Sequence, residues 1–307
     1  MDVIEALPDL QAARALLPEP VGLVPTMGYL HTGHLSLVQA ARAACASVVV
    51  SIFVNPTQFG PNEDLRSYPR DLPRDLELLH SAGADLVWTP SPEVVYPPGY
   101  QTWVTVEQVA RPLEGERRPG HFRGVATVVA KLFNSIQPQK AFFGQKDAQQ
   151  AVVIRRMARD LDFPVEVVVC PIVREPDGLA MSSRNVYLSQ AERQAATVLF
   201  RALQATRQAY LAGEREAEAL RRVITETINR EPLANLQYVS CADPESLEEL
   251  HGPVRSALLS LAVFFGKTRL IDNLDLSEQS LSEQGLSEKG MSEPDLAEQE
   301  QTHAPDD

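Results

Sequence analysis

The chain is poor in cysteine and lacks a long apolar segment. Its three cysteines, Cys45, Cys170 and Cys241, are far apart, odd in number and set among apolar residues. This distribution favours reduced core thiols over disulfides or a cysteine-based metal site. No apolar run approaches the roughly 20 residues that cross a bilayer, and the first residues, MDVIE, lack the basic and then apolar pattern of a secretory signal. We therefore expect a cytoplasmic protein without a membrane partner.

Basic residues are scarce relative to acidic ones. The 307 residues include 28 Lys and Arg against 41 Asp and Glu, which gives a net charge of −13. Nine acidic residues and one lysine lie in 277–307, so the other 276 residues carry a net charge of only −5. Nucleic-acid binding depends mainly on neutralising phosphates, and no basic cluster with aromatic neighbours stands out. The composition therefore argues against a nucleic-acid partner.

Strand-like and helix-like segments alternate along the first part of the chain. This alternation favours an α/β fold with a mostly parallel sheet covered by helices in residues 1–173. Ligands of such sheets collect at the carboxyl ends of the strands. The patterns predict strands at 21–24 (with Pro25 ending the strand), 48–54, 85–88, 141–143 and 165–169, and helices at 35–46, 72–82, 124–136 and 147–160.

The pattern changes after residue 173. A helical stretch at 190–212, a helix at 215–229 and strand-like segments at 236–241 and 257–265 predict a smaller α+β domain, 174–276, that closes over the first. A five-residue repeat follows (LSEQG, LSEKG, MSEPD), with one apolar residue in five. Such a repeat fits neither a helical stripe nor a strand face, so 277–307 is predicted to be a disordered acidic tail. A partner-binding role for this tail is the alternative.

The segment MGYLHTGH at 27–34 lies between a predicted strand and a predicted helix. The first N–H groups of a helix suit phosphate binding, and Gly33 lets the chain approach a ligand closely. His31 and His34 are three residues apart and can share one helical face. The segment indicates a nucleotide site, although an N-terminal turn with two incidental histidines is the alternative.

Two further segments supply polar and apolar groups for a substrate. In NPTQFG at 55–60, the Gln58 carboxamide can donate and accept hydrogen bonds to a small polar substrate, although for this segment in isolation an ordinary turn-forming loop is favoured. The loop RRPGHFRG at 117–124 leads into a helix with a continuous apolar face. Val125, Val128 and Val129 in its first turns are the candidates for an apolar pocket wall.

Two later segments carry positive charge. In GQKDAQQ at 144–150, Lys146 would meet phosphates, Asp147 would cap the helix or, less simply, hold a metal ion, and Gln150 would face the same crevice as Gln58. The hydroxyls and guanidinium of MSSRN at 181–185 suit a polyphosphate. A solvated turn is the alternative for this last segment.

In this order, the segments resemble the pantothenate synthetase family of the HxGH nucleotidyltransferases. The resemblance spans about residues 3–273 and includes PTMG at 25–28, HTGH at 31–34, FVNP at 53–56, PGHFRGV at 119–125 and MSSRN. It implies a two-domain homodimer with a Rossmann-like first domain. Such an enzyme uses ATP and Mg²⁺ to join pantoate to β-alanine, and we expect an enzyme-bound pantoyl adenylate, with AMP and pyrophosphate released.

The resemblance also implies roles for single residues. His34 would be the catalytic histidine, and the chemistry of Lys146 and Arg184 suits them to stabilise phosphate charge beside it. Gln58 and Gln150 would bind pantoate, and Gln58 would also lie near β-alanine, while no metal ligand is assigned. The family usually has an acid at the position of Gln145 and an aromatic residue at that of Ala148. The implied ATP contacts are Met27, Gly28, Tyr29, Leu30, His31, Thr32, Gly33, His34, Gly144, Gln145, Lys146, Asp147, Val173, Met181, Ser182, Ser183 and Arg184.

Two other functions fit parts of this pattern. A nucleotidyltransferase would transfer a nucleotide to a phosphate-bearing acceptor and stop there. A nucleotide sensor would bind ATP without turnover, although the intact set of His34, Lys146 and Arg184 argues against this. Release of AMP only in the presence of β-alanine would distinguish the ligase from both.

Overall fold

The computed structural model describes residues 1–61 and 63–277 of the chain. The repeats of the predicted acidic tail lie outside these residues. The described residues form a six-stranded parallel sheet with helices and a three-stranded antiparallel sheet, which confirms the predicted fold class. Within the same ranges, every helix is too short or too polar to span a bilayer.

The parallel sheet has a switch point in its strand order. The strands are β1 (Asp2–Ile4), β2 (Val21–Thr26), β3 (Ser47–Ile52), β4 (Leu86–Trp88), β5 (Lys140–Gly144) and β6 (Glu166–Cys170), in the order β1-β4-β3-β2-β5-β6. The chain proceeds from β2 through β3 towards β4 and β1 on one side, and later adds β5 and β6 on the other side. In such sheets ligands bind outside the carboxyl ends of the strands that flank the switch, here β2 and β5.

Helices cover both faces of this sheet. They are α1 (Leu7–Arg14), α2 (Thr32–Ala44), α3 (Leu72–Ser81), α4 (Pro92–Val95), α5 (Glu114–Arg117), α6 (His121–Ile136) and α7 (Ala148–Asp160). Val49 of β3 packs into the core beneath α6 and α7, whereas its neighbours Val48 and Val50 pack into the core beneath α2 and α3. Successive strand residues point to opposite faces, so a strand buried on both sides is apolar throughout.

Pro25 does not end β2, contrary to the sequence-based expectation. The strand continues to Thr26, and Pro25 pairs in register with Ser51 of β3. The main-chain oxygen of Val21 accepts from Gln139 on the β5 side, so Pro25, four residues on, also turns its nitrogen to that side. Pairing between β2 and β5 stops at Leu23, so the missing N–H of Pro25 interrupts no ladder. The unpaired carboxyl ends of β2 and β5 leave room for a crevice.

The smaller sheet consists of β7 (Ala234–Ala242), β8 (Leu258–Phe265) and β9 (Thr268–Asp275), with α8 (Gln190–Ala195), α9 (Val198–Leu211) and α10 (Ala217–Asn229) preceding it. The prediction of one helix over 190–212 was wrong. The Thr197 hydroxyl donates to the carbonyl of Gln194, and this local bond competes with the helical ladder and separates α8 from α9. The domain boundary at 173/174 stays a prediction.

A buried ion pair fastens the smaller sheet to the first unit. The guanidinium of Arg269 in β9 donates two hydrogen bonds, of 2.7 and 2.6 Å, to the carboxylate of Glu114 in α5. The hydroxyl of Tyr238 in β7 donates to the same carboxylate at 2.9 Å. Because Glu114 is buried, its charge requires these partners.

Candidate active site

A cavity of about 230 Å³ lies at the carboxyl ends of β2 and β5, at the switch point. It brings together segments that lie more than 150 residues apart in the sequence. Val125, Val128 and Val129 of α6 line it as predicted, and Leu132 extends their apolar wall. The predicted site residues in its lining are Met27, His31, Gly33, His34, Gln58, Gly144, Lys146, Asp147, Gln150, Val173, Met181, Ser182, Ser183 and Arg184.

Five of the implied ATP contacts lie outside this lining. Gly28, Tyr29 and Leu30 form the turn behind the cavity wall, between β2 and α2. The Thr32 hydroxyl donates to the sulfur of Met181 and so links the start of α2 to the later segment. The side chain of Gln145 donates to Asn273 of β9. Their contacts with ATP stay predictions.

Asp75 of α3 holds the turn that precedes α2. Its carboxylate accepts hydrogen bonds from the main-chain nitrogens of Tyr29 and Leu30, both at 2.7 Å. The turn needs left-handed backbone at Gly28 (φ 81°) and Tyr29 (φ 49°), and a Cβ at Gly28 would lie 3.1 Å from both Asp75 and Ile52. Sequence reasoning missed Asp75, because no local pattern connects a helix position with a turn 46 residues earlier.

The two histidines stack at the start of α2, with ring centroids 4.0 Å apart. Burial, with Lys146 nearby, lowers the pKa of His31 to about 4, and burial, with His31 and Lys146 beside it, lowers that of His34 to about 3. His34 Nδ1 accepts from the main-chain nitrogen of His31 at 3.4 Å, which assigns the proton of the neutral ring to Nε2. A Cβ at Gly33 would lie 2.9 Å from His31 Cε1, so a larger residue here would have to displace this ring.

Lys146 and Asp147 lie on a 3₁₀ turn, Gln145–Asp147, between β5 and α7. The prediction that the Asp147 side chain caps the helix was wrong, because it occupies the N-cap position without making a capping hydrogen bond. Its carboxylate lies instead 3.6 Å from the ammonium group of Lys146. Both groups line the cavity, so a cation and an anion stand side by side at the end of β5.

Arg184 enters the site from the segment after β6. Its guanidinium makes a bidentate pair with Asp64, with distances of 3.0 and 2.9 Å. The loop that carries Asp64 also reaches this segment through the Tyr68 hydroxyl, 3.2 Å from that of Ser183. A phosphate that binds Arg184 therefore has to share it with Asp64 or displace that carboxylate.

Asn55 orients the carboxamide of Gln58. Asn55 is buried, and its Nδ2 donates to Gln58 Oε1 at 3.0 Å while its Oδ1 accepts from the hydroxyl of Tyr96 at 2.9 Å. The oxygen of Gln58 is thereby engaged, and Nε2, 3.1 Å from the sulfur of Met27, is the donor presented at the cavity. Specific side-chain hydrogen bonds thus hold the loop 55–60, and the alternative of an ordinary turn does not explain them.

Gly124 brings the apolar wall up to this amide. A Cβ at Gly124 would lie 2.5 Å from the main-chain oxygen of Thr57, so only glycine lets α6 approach the loop that carries Gln58. Gln150 of α7 lines the same cavity, as predicted. The cavity lining thus combines carboxamides and a valine wall with imidazole, ammonium and guanidinium groups.

Comparisons with known proteins agree with this arrangement. The family model for pantoate-beta-alanine ligase matches residues 2–275. The pantothenate synthetase of Herpetosiphon aurantiacus is 62% identical over 275 residues, which cover 89% of this chain and 99% of that protein. That of Roseiflexus castenholzii is 62% identical over 273 residues, covering 89% and 98%.

Two solved structures show the same fold. Pantothenate synthetase from Thermus thermophilus superposes with a TM-score of 0.86 at 51% identity, over 90% of this chain and 100% of that one. A pantoate-beta-alanine ligase from Francisella tularensis, complexed with beta-gamma ATP and beta-alanine, gives a TM-score of 0.74 at 35% identity, over 90% and 97%. The family match includes both sheets and every cavity segment. The chain therefore belongs to the pantoate-β-alanine ligase family, enzymes that join pantoate to β-alanine.

Proposed function

We propose that this enzyme makes pantothenate in two steps, through a pantoyl adenylate that stays bound in the cavity. One observation carries the proposal: a single cavity brings Lys146 and His34 together with the carboxamides of Gln58 and Gln150. A nucleotide and a small hydroxy acid can therefore meet in it. The Francisella tularensis complex with beta-gamma ATP and beta-alanine supports ATP and β-alanine as the other two substrates.

In the first step a carboxylate oxygen of pantoate attacks the α-phosphorus of ATP, and the bond to pyrophosphate breaks. A carboxylate is a weak nucleophile and ATP is highly anionic, so the enzyme must mainly position the reactants and offset charge. Lys146 supplies a cation, His34 supplies the Nε2–H donor, and the first N–H groups of α2 add a positive dipole end. Arg184 joins them once phosphate competes with Asp64.

In the second step the amine of β-alanine attacks the acyl carbon of the adenylate. The amine loses a proton as the C–N bond forms, and AMP leaves with the bonding electrons of the C–O bond. Gln58, which binds pantoate in this proposal, is suited to hold β-alanine as well. No serine or cysteine nucleophile is needed, so the protein itself is not acylated.

The cavity lining around Gln58 suits pantoate chemically. Nε2 of Gln58 is a donor, held in orientation by Asn55, and can bond a carboxylate or hydroxyl oxygen. The wall of Val125, Val128 and Val129 is apolar, as the branched hydrocarbon of pantoate requires. An amide donor beside an apolar wall therefore fits pantoate better than a phosphate-bearing acceptor.

The residues present also fit a magnesium ion held mainly by the phosphates of ATP. Among the described residues, no group of three or more His, Cys, Asp or Glu side chains could form a metal cage. Asp147 offers one carboxylate in the cavity lining, half exposed beside Lys146. Mg²⁺ is commonly bound by one or two carboxylates plus substrate phosphates, where it neutralises phosphate charge. Asp147 is the residue that would hold it.

An assay with single substrates omitted tests the proposal. With pantoate, ATP and Mg²⁺ but no β-alanine, we expect exchange of labelled pyrophosphate into ATP. Adding β-alanine should release one AMP for each pantothenate formed. Exchange without pantoate, a nucleotidylated product in place of AMP, ATP binding without turnover, or an acylated protein in the mass spectrum would each contradict it.

The proposal includes the homodimer and the cytoplasmic location that were expected from the sequence. The dimer is supported by the family resemblance, and light scattering should then give about twice the chain mass of 33.8 kDa. A mass equal to that of one chain at micromolar concentration would contradict it.

A further inference from the structure

The turn that carries Lys146 is bound by a side chain from the last strand. Asn273 of β9 is buried, and its Nδ2 donates to the main-chain oxygens of Gln145 and Lys146, both at 2.9 Å. Its Oδ1 accepts from Nε2 of Gln145 at 3.1 Å. Both protons of the Asn273 amide and its oxygen are thus used on a single turn, 127 and 128 residues away in the sequence.

This contact matters because little else fixes the ammonium group of Lys146. Within 4 Å it has one charged neighbour among the described residues, Asp147, and the 3.6 Å separation exceeds a normal hydrogen bond. A flexible four-carbon stem keeps its ammonium group within reach of its own Cα, so a displaced backbone displaces the whole region that the charge can occupy. The backbone of the 3₁₀ turn therefore sets the part of the cavity that the Lys146 charge can reach.

Asn273 is itself held firmly in the smaller sheet. It pairs in register with Ser260 of β8, and its main-chain nitrogen donates to the carboxylate of Asp272 at 2.8 Å. Asp272 is buried and forms a bidentate pair with Arg174, at 2.7 and 3.0 Å. Arg174 in turn lies over the ring of Phe200 of α9. The amide that binds the turn is thus anchored to the smaller sheet and its helices.

We infer that Asn273 is a positioning residue for the adenylation step: through its amide, the smaller sheet sets the place of the Lys146 ammonium group in the phosphate site. Asn273 does not line the 230 Å³ cavity, so it acts through the turn and not on the substrates. The inference rests on the proposed role of Lys146, and its test separates the two.

The first variant is Asn273→Asp, which keeps the size but replaces the donor with an oxygen facing two carbonyl oxygens. Losing these hydrogen bonds should lower kcat for pantoate-dependent pyrophosphate exchange about tenfold or more. The KM for pantoate should stay within about twofold, because none of the side-chain hydrogen bonds of Asn273 is to Gln58 or Gln150. Asn235→Asp is the matched control: Asn235 lies exposed on β7 of the same sheet, and this variant should behave as wild type.

A double-mutant cycle distinguishes positioning from a general loss of structure. If Asn273 acts through Lys146, Asn273→Asp should cost little further activity in a Lys146→Ala background. Equal losses in both backgrounds, or full activity of Asn273→Asp, would overturn the inference. Full activity of Lys146→Ala would instead show that the proposed role of Lys146 is wrong.

Folding is measured alongside activity. Asn273→Ala removes the amide without placing a negative charge against the carbonyls, and should also lower kcat while leaving the melting temperature within a few degrees of wild type. If both variants at 273 failed to fold, Asn273 would belong to the stability of the sheet and the inference would be wrong.

Discussion

His31 and His34, at the start of α2, differ in their hydrogen bonding, although only two residues separate them. His34 has one ring nitrogen occupied by a main-chain N–H, and its other nitrogen is the donor. His31 Nδ1 is buried without a hydrogen-bond partner, and a buried nitrogen in this state lowers the free energy of unfolding. Both rings are neutral near pH 7 because burial lowers their pKa. The pair is therefore prepared to donate to an anion and not to act as two fixed cations.

Removing His34 or Lys146, the proposed phosphate-binding groups, should slow adenylate formation. We expect His34→Ala and Lys146→Ala to lower the rate of pantoate-dependent pyrophosphate exchange by a factor of about 10² or more, as loss of a preorganised donor commonly does. Rapid-quench measurement of the adenylate in one turnover checks this step directly. A variant that kept the full rate would show that its residue is not needed for the chemistry.

The two glutamines should affect pantoate and not ATP. Gln58→Ala and Gln150→Ala remove neutral amides from the cavity lining and leave its cationic side chains in place. Each loss should raise the pantoate KM about tenfold or more, since a substrate group is left without its partner. Initial rates at varied pantoate and varied ATP measure both constants, and equal changes in the two would contradict the assignment.

Residue types alone indicated most of these groups. Histidine, lysine, glutamine and arginine carry their chemistry with them, and glycines beside them mark places where the backbone turns or approaches another segment. Asn55 was missed because its amide is buried and bonded within the protein, and no residue pattern distinguishes such an amide from a turn-forming asparagine. Asp147 was misjudged because an acid before a helix is usually a cap, while here Lys146 is close enough to attract it.

At the scale of elements, α3 supports a turn that it does not follow in the chain. Asp75→Asn would place an amide against the N–H groups of Tyr29 and Leu30, leaving a buried donor unsatisfied. We expect a loss of about 1–3 kcal/mol in the free energy of unfolding and a higher ATP KM. Urea denaturation and initial rates measure these two effects.

Glu77→Gln is the control for this helix. Glu77 is exposed on α3 and loses the same charge, so stability and ATP KM should both match wild type. If Asp75→Asn also matched wild type, its carboxylate would not be what holds the turn.

Helix and strand periodicity located most elements within a few residues. The wrongly predicted element bounds have local causes that hydrophobic periodicity does not reflect. Pro25 continues β2 because pairing with β5, on the side of its missing N–H, has already stopped at Leu23. Thr197 divides a helical pattern because its hydroxyl bonds the backbone of the preceding turn. β1 escaped prediction because three residues are too few to show a period.

At the scale of the whole molecule, buried histidines link stability to pH. Burial, with Arg118 beside it, lowers the pKa of His121 to about 4, and its ring bonds the main-chain oxygen of Gln58 at 2.8 Å. Between pH 6.5 and 4 the unfolded chain therefore binds a proton that the folded chain does not, so stability falls as the pH falls. The lowered pKa values of His31 and His34 also make stability fall as the pH falls.

At pH 5 the loss from His121 should be about 2 kcal/mol relative to neutral pH. Calorimetric melting temperatures from about pH 7.5 to 5 should show this decline, and His121→Gln should make it shallower. His80→Gln, which changes an exposed ring on α3, should leave the slope as it is. A melting temperature that stayed constant across this range would contradict the prediction.

The acidic tail should be dispensable for catalysis. The family match ends at residue 275, and Leu276 is the last buried apolar residue that the structure describes. Deleting residues 278–307 should leave kcat and the melting temperature within error of the full chain. A lost oligomer or a markedly lower melting temperature would show that the tail contributes to the assembly.

The sequence by itself determined the α/β class, the location of the site at strand ends, and most of the polar and charged side chains that line the cavity. These follow from local information: apolar periodicity sets the elements, and glycine-bearing strand-to-helix turns place polar side chains at one edge of the sheet. Only the tertiary structure decided what holds those groups in place. Asp75, Asp64 and Asn273 bind partners 46, 120 and 128 residues away in the sequence, and such contacts leave no trace in local spacing because the fold alone brings their elements together.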